Sequence, residues 1–327
     1  MVKLLPQGII HAVKKPLGMR VPRPPQVESQ FAQPVYAAGQ IEMIWYFSEE
    51  NSHLKNPSKL VIIPKFLTIM CPFALFVKYN FPGRFMTKTV QLFITCLIDS
   101  FFPQVGEAMV NVFNRAGVRV EFPSAQTCCG QPAFNAGFRS TAIPMARHTI
   151  EVFEKTMGAI IIPSGSCAAM VRYGYLELFR DDPAWLERAH ALSGRVYEFT
   201  EYLVDICGVT ELSARWPGKL TYHPSCHLLR SLGVDRQPRA LLSAVKDAEI
   251  IELPEREDCC GFGGVFSVEH PELSAEFLKR KISNLEKTGS ATLVVADTGC
   301  LMHIQGGLAW QGKDQRVLHI AEVLNSL

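Results

Sequence analysis

The sequence predicts an α/β protein made of two pseudo-symmetric parallel-sheet domains behind a poorly structured N-terminal extension. Three observations predict it. Four cysteines recur at near-constant spacing: Cys96 with Cys226, Cys128 with Cys259, Cys129 with Cys260 and Cys167 with Cys300, at sequence offsets of 130, 131, 131 and 133. Within each copy, short runs rich in Val and Ile alternate with longer stretches of helical period, the pattern of a parallel sheet covered on both faces. The segment 1–85 shares neither feature and holds ten of the chain's 21 prolines, which break helices and ladders alike.

The extension also differs in charge. Residues 1–85 carry ten Lys/Arg against four Asp/Glu, while the remainder carries 23 against 27. A chain of 20% charged and 48% hydrophobic residues has globular composition, and a net charge of +2 points to no nucleic-acid partner. The apolar run at 60–79 is interrupted by Pro64, Lys65 and Pro72. It falls short of the roughly 20 clean residues a spanning helix needs, so no membrane span is expected. Lys3, Lys14, Lys15, Arg20 and Arg23 precede any acid, a faint likeness to a transit peptide. The simpler expectation is that Met86, next to the first strand-like run, starts the natural chain. The domains are then 1–85, 86–214 and 215–327.

The first copy opens on Leu92-Phe93-Ile94-Thr95-Cys96, whose counterpart is Leu220-Thr221-Tyr222-His223-Pro224-Ser225-Cys226. A helix is predicted over 103–117, with Val105, Met109, Val112 and Phe113 on one face. A short strand near 118–122 leads to Cys128-Cys129-Gly130, a second helix lies near 141–157, and the run at 159–162 ends in Pro163-Ser164-Gly165-Ser166-Cys167. In the second copy the helices fall at 239–247 and 271–287, with a strand near 249–253 before Cys259-Cys260-Gly261 and another before Cys300. Residues 195–203 match 316–324 at an offset of only 121. The first copy therefore carries about a dozen extra residues, assigned to an insertion at 181–194.

Right-handed crossovers place the carboxyl ends of all strands on one edge, where open α/β sheets bind their ligands. The four cysteines of each copy should therefore converge, and Gly130 and Gly261 let the backbone turn tightly beside a bulky cofactor. Clustered cysteines in a chain without a convincing secretion signal point to the cytoplasm and to metal or redox work. Convergent thiolates suit a soft metal. Iron–sulfur clusters take four of them. Zinc also accepts four, although adjacent cysteines are unusual in structural zinc sites, and a redox disulfide or buried core thiols remain open. Cys71 and Cys207 have no repeat partner and read as ordinary thiols. Histidines near the cysteines could move protons, since imidazole titrates near neutrality. His227 is the candidate among those after the fifth strand-like run, whereas His223 reads as a loop-backbone partner and His148 and His319 as structural. No GxGxxG follows a strand, so no bound dinucleotide is expected.

The spacing leaves 31 residues between Cys96 and Cys128 and 37 between Cys129 and Cys167, then 32 and 39 in the second copy. It resembles the cysteine-rich CCG domain, which occurs twice in one of the subunits of heterodisulfide reductases. It also occurs in the iron–sulfur subunits of glycolate oxidase and anaerobic glycerol-3-phosphate dehydrogenase. Residues 90–327 resemble the lactate utilisation protein A family more closely still. The likeness rests on Phe93-Ile94-Thr95-Cys96-Leu97, Cys128-Cys129-Gly130-Gln131-Pro132-Ala133-Phe134-Asn135, Pro163-Ser164-Gly165-Ser166-Cys167 and Cys259-Cys260-Gly261-Phe262-Gly263-Gly264.

The resemblance implies two Rossmann-like CCG domains holding up to two iron–sulfur clusters of 4Fe–4S type. It further implies an electron-transfer role in NAD-independent oxidation of L-lactate to pyruvate, with two further lactate-utilisation subunits, one of them ferredoxin-like. One departure bears on the cluster. The fuller CCG pattern ends in Cys-x-x-Cys and supplies five thiolates, whereas Met170 and His303 stand at the last positions here. His303 is then a candidate fifth ligand or proton donor, and the Met170 thioether a poor substitute. The rival expectations are a disulfide-reductase-like iron–sulfur enzyme and a non-catalytic zinc-binding scaffold.

Overall fold

The computed structural model of the chain describes residues 88–327. The expected start at Met86, the apolar run at 60–79 and Cys71 lie outside them. Two four-stranded parallel sheets organise the described residues. The first holds β1 (Thr89–Leu92), β2 (Arg119–Glu121), β3 (Ala159–Ile162) and β4 (Val196–Glu198) in the order β2-β1-β3-β4. The second holds β5 (Arg215–His223), β6 (Lys246–Ile251), β7 (Thr292–Val295) and β8 (Arg316–His319) in the equivalent order β6-β5-β7-β8. The registers match as well: Gln91 pairs with Ile160 in one sheet and Thr221 with Leu293 in the other. Central strands covered on both faces are buried and mostly apolar, as Val90, Leu92, Ile160, Ile161, Leu293 and Val294 show.

The helices follow the expected periodicity. Pro103–Arg115 buries Val105, Ala108, Met109, Val112 and Phe113 along one stripe, with proline at its first position. Arg139–Phe153 and Pro271–Thr288 occupy the predicted places, the latter stopped by Gly289 in a left-handed conformation. One helix is displaced. The stretch expected at 239–247 forms Arg236–Ser243, and Lys246 already belongs to β6. That strand lies at the sheet edge and is largely exposed, so its charged start hides the alternation that marks a strand. The insertion is an added helix, Pro183–Ser193, capped by the Asp182 side chain. The two copies also close alike. Glu198 with Glu201, and His319 with Glu322, form capping boxes directly after β4 and β8.

The described residues fall within one compact unit, because each copy packs its first long helix on the C-terminal helical segment of the other. Pro103–Arg115 lies against Ile320–Asn325, where Arg115 donates to the carbonyl oxygen of Leu324. Reciprocally, Arg236–Ser243 lies against Phe199–Glu201, and Gln237 and Arg236 both donate to Asp205. Phe113, Phe199, Leu220, Leu241, Val294 and Ile320 consequently share one apolar core. Among the described residues no helix is long and apolar enough to cross a membrane.

Candidate metal centres

Each copy delivers its cysteines in the same way. Cys96 opens the helix Cys96–Phe101 after β1, and Cys226 precedes a π-turn, His227–Ser231, after β5. Cys167 and Cys300 lie in the first turns of Gly165–Ala169 and Thr298–Trp310, after β3 and β7. Because β1 adjoins β3 and β5 adjoins β7, each pair meets where the strand order reverses, the usual place for a ligand. The adjacent cysteines come from the loops after the edge strands β2 and β6. Those loops fold back at Gly130 and Gly261, whose φ angles are 84° and 96°, in the region that favours glycine. At Gly261 a Cβ would lie 2.6 Å from the Ser274 carbonyl oxygen.

In the first copy Cys96 Sγ lies 3.6 Å from Cys128 Sγ, and Cys129 has Cys128 and Cys167 as neighbouring thiols. The Cys129 and Cys96 thiols donate to Cys128 and, with the Gly130 N–H, hold it down at about 3. Cys96 and Cys129 are pushed up, each by its hydrogen bond to Cys128 and by burial. The second copy repeats this. Cys260 Sγ is 3.2 Å from Cys300 Sγ, and the Gly261 N–H donates to Cys259 Sγ at 3.3 Å. Cys226 and Cys260 hold Cys259 down at about 2, while Cys226 and Cys260 rise in return. Cys300, although hydrogen-bonded to Cys260, is pushed up by burial. All eight are free thiols, and each group contains a ready thiolate, the form that binds metal.

A second layer of side chains braces these loops. The buried Tyr175 hydroxyl donates to the Cys129 carbonyl oxygen at 2.9 Å. His148 Nε2 donates to the Ala125 carbonyl oxygen at 2.8 Å, three residues before Cys128. In the second copy the buried Lys281 donates to the carbonyl oxygens of Glu255 and Arg256 at 3.1 and 3.3 Å. Between the copies stands Asp297, only 4% exposed. Its Oδ1 accepts from the N–H groups of Gly299 and Cys300. Its Oδ2 accepts from Ser166 N–H at 2.8 Å and the Ser164 hydroxyl at 3.1 Å. One carboxylate therefore caps both helices that carry the last cysteines. The expected structural role of His319 also holds: Nδ1 accepts from Ala321 N–H, and Nε2 donates to the Pro163 carbonyl oxygen at 2.7 Å.

The histidines near the cysteines take three different positions. His227 Nδ1 lies 3.7 Å from Cys226 Sγ. His303 is one helical turn beyond Cys300 and places Nε2 3.3 Å from the Ser274 hydroxyl, which itself donates to Gly261. Met170, in the place equivalent to His303, is buried in an apolar cluster with Cys129. His223, expected to meet loop backbone, has the Arg256 backbone beside it. His223 is the last residue of β5, fully buried, and neither ring nitrogen makes a well-formed hydrogen bond. Its ligating nitrogen and the Cys260 and Cys300 sulfurs all lie within 4.8 Å of one another. Burial and the nearby Lys281 push its pKa down to about 3, so the ring is neutral. Tyr175 and Lys281 carried no sequence signal beyond residue type, and Asp297 only that of an N-cap before Thr298-Gly299. His223 carried one, as the polar counterpart of the buried, apolar Phe93 just after β1.

The donor set decides what these sites can hold. Thiols from four places on the chain converge without a surrounding cage of carboxylates, which disfavours calcium or magnesium and favours a soft metal. Thr95 and Ser225, each just before the first cysteine of its copy, are buried; the Thr95 hydroxyl has no partner, and that of Ser225 has the Cys300 sulfur beside it. Spare donors beside clustered sulfurs suit an iron–sulfur group, whose sulfurs accept hydrogen bonds that tune it.

Comparison with known proteins places the chain among relatives. The family model of the cysteine-rich domain CCG matches residues 90–172 and 220–305. Over 237 residues, 72% of this chain, it is 46% identical to a lactate utilization protein A of Oceanobacillus iheyensis, covering 96% of that protein. It is 48% identical over 237 residues to the protein of that name from Bacillus pumilus, covering 99% of it. Among solved structures, a hypothetical protein from Helicobacter pylori aligns over 72% of this chain with a TM-score of 0.50 and 7% identity. The chain spans 48% of that protein's length, and the likeness is one of fold.

Proposed function

The chain belongs to the family built on the cysteine-rich domain CCG, and its relatives are lactate utilization proteins A; from that premise we propose that it is the iron–sulfur electron-transfer subunit of an NAD-independent complex oxidising L-lactate to pyruvate. The observation that carries this reading is the duplicated convergence of thiols at the strand ends. Cys96, Cys128, Cys129 and Cys167 would hold one cluster, and Cys226, Cys259, Cys260 and Cys300 another, with Gly130 and Gly261 turning the loops close against them. When bound, such clusters supply reversible one-electron transfer.

Oxidising lactate to pyruvate releases two electrons and two protons. The protein's part is to fix the thiolates, exclude water from them and offer N–H and hydroxyl donors. His227 and His303 flank the second centre on our reading as proton carriers. The partners we infer are two further lactate-utilisation subunits, one of them a ferredoxin-like iron–sulfur protein, working in the cytoplasm. The domain boundary we assign falls between residues 214 and 215.

The test is anaerobic purification of the full chain with its co-purifying partners, with iron, labile sulfide and electron paramagnetic resonance measured alongside lactate-dependent dye reduction. Two centres are expected. Cys128→Ala and Cys259→Ala should each remove one centre and stop dye reduction. Zinc without iron, or full activity in both variants, refutes the proposal.

A further inference from the structure

We propose that His223 is a metal ligand of the second centre, sharing it with Cys260 and Cys300, so that the two centres differ in kind. The inference rests on the iron–sulfur reading above and specifies its second site.

Three observations carry it. First, position: His223 ends β5 three residues before Cys226, as Phe93 stands three residues before Cys96 after β1. β5 pairs with β7 through His223 and Val295, which sets the ring beside the loop and first turn that present Cys300. Second, geometry: among the described residues, His223, Cys260 and Cys300 are the group whose three ligand atoms lie within 4.8 Å of one another. Sulfurs 2.3 Å from a shared tetrahedral metal stand about 3.8 Å apart. The 3.2 Å between Cys260 and Cys300 needs only a small opening to reach that. Third, chemistry: a buried imidazole that makes no well-formed hydrogen bond, and whose Arg256 backbone neighbour can engage one nitrogen at most, leaves a ring nitrogen unsatisfied. In the first copy Phe93 is equally buried but packs on Phe153, with ring centroids 5.1 Å apart, and has nothing to satisfy.

The difference extends around the site. His303 faces Met170 across the repeat, and the buried Lys281 stands near the second set of thiols alone. The first centre is thus a thiolate site in apolar surroundings, and the second a mixed thiolate–imidazole site beside a cation. A neutral ligand and a nearby positive charge both favour the reduced form, so the second centre takes electrons more readily than the first.

Pulsed electron paramagnetic resonance on the anaerobic full chain, reduced with dithionite, reads this directly. The expected result is a strongly coupled nitrogen that changes isotope signature when histidine is labelled with nitrogen-15. It disappears in His223→Phe, persists in His227→Ala and His303→Ala, and its loss is accompanied by a lower midpoint potential of one centre only. The wild-type labelling result needs no variant and stands if His223→Phe fails to fold. Two iron centres with no coupled nitrogen, or a coupling lost in His303→Ala or His227→Ala instead, overturn the assignment while leaving the iron–sulfur reading intact. Zinc in place of iron sinks that reading alone. Zinc-edge X-ray absorption then decides His223: a nitrogen scatterer lost in His223→Phe sustains it, and an all-sulfur shell overturns it.

Discussion

Replacing Asp297 by Asn tests whether one carboxylate holds both cysteine-bearing helices. Asp297 accepts four hydrogen bonds, two from its own helix and two from the Ser164–Ser166 turn of the other copy. Asn keeps one oxygen and turns an NH₂ toward the other pair of donors. One helix therefore keeps its cap while the other loses it, at about 1 kcal/mol, and a buried N–H is left facing a donor, at about 1–3 kcal/mol. Together these come to about 2–4 kcal/mol. Ser164→Ala removes a single hydroxyl bond to the carboxylate and should cost about 1 kcal/mol. The double variant should fall short of the sum by about 1 kcal/mol, because both changes break the same contact. Urea unfolding of the metal-free full chain measures each term. Circular dichroism and the fluorescence of Trp185, Trp216 and Trp310 should follow one transition, since these tryptophans sample both copies. A loss in Asp297→Asn no larger than the about 0.5 kcal/mol of an ordinary surface substitution, or additive costs in the double variant, refutes the shared cap.

Three other outcomes follow from the same structure. Burial raises Glu198 to about 7 from the usual 4.5 and lowers His319 to about 4 from 6.5. The folded chain thus keeps the Glu198 proton after the unfolded chain has lost it, and that stability is full below pH 4.5 and lost as pH rises through 7. It refuses the His319 proton that the unfolded chain takes up, and that stability is full above pH 6.5 and lost as pH falls toward 4. Each shift is worth about 3 kcal/mol. Relative to wild type, Glu198→Gln should make stability climb from pH 4.5 to 7 and His319→Gln should make it decline, as urea midpoints across that range will show. Phe113→Ala, in the core shared by both copies, should cost about 3–5 kcal/mol and unfold both copies together, and two separate transitions would contradict the shared core. Gly261→Ala adds a left-handed penalty of about 1–2 kcal/mol and a clash with the Ser274 carbonyl. It should empty the second centre while iron at the first stays in place.

The repeat made much of this legible. Four paired cysteines reported the duplication directly, and the apolar period placed Pro103–Arg115 and Pro271–Thr288 within two residues of their ends. Edge strand β6 was blurred because four of its six residues face solvent and obey no alternation. The surroundings of His223 were hidden for a different reason. Its sequence neighbours Pro224 and Ser225 suggest a loop, whereas its environment comes from Val295 and Cys300, far along the chain. Asp297 was equally hidden: an N-cap is visible in Asp297-Thr298-Gly299, but the second helix it serves belongs to the other copy.

The crossed packing of first and last helices has a further consequence. A twofold dimer of half-length chains would bury the same surfaces, but symmetry would force its two pockets to be identical. Joining the halves into a single polypeptide releases that constraint while keeping the architecture. Phe93 and His223, or Met170 and His303, then occupy matching seats as unlike residues, and a body inherited from symmetry acquires a direction.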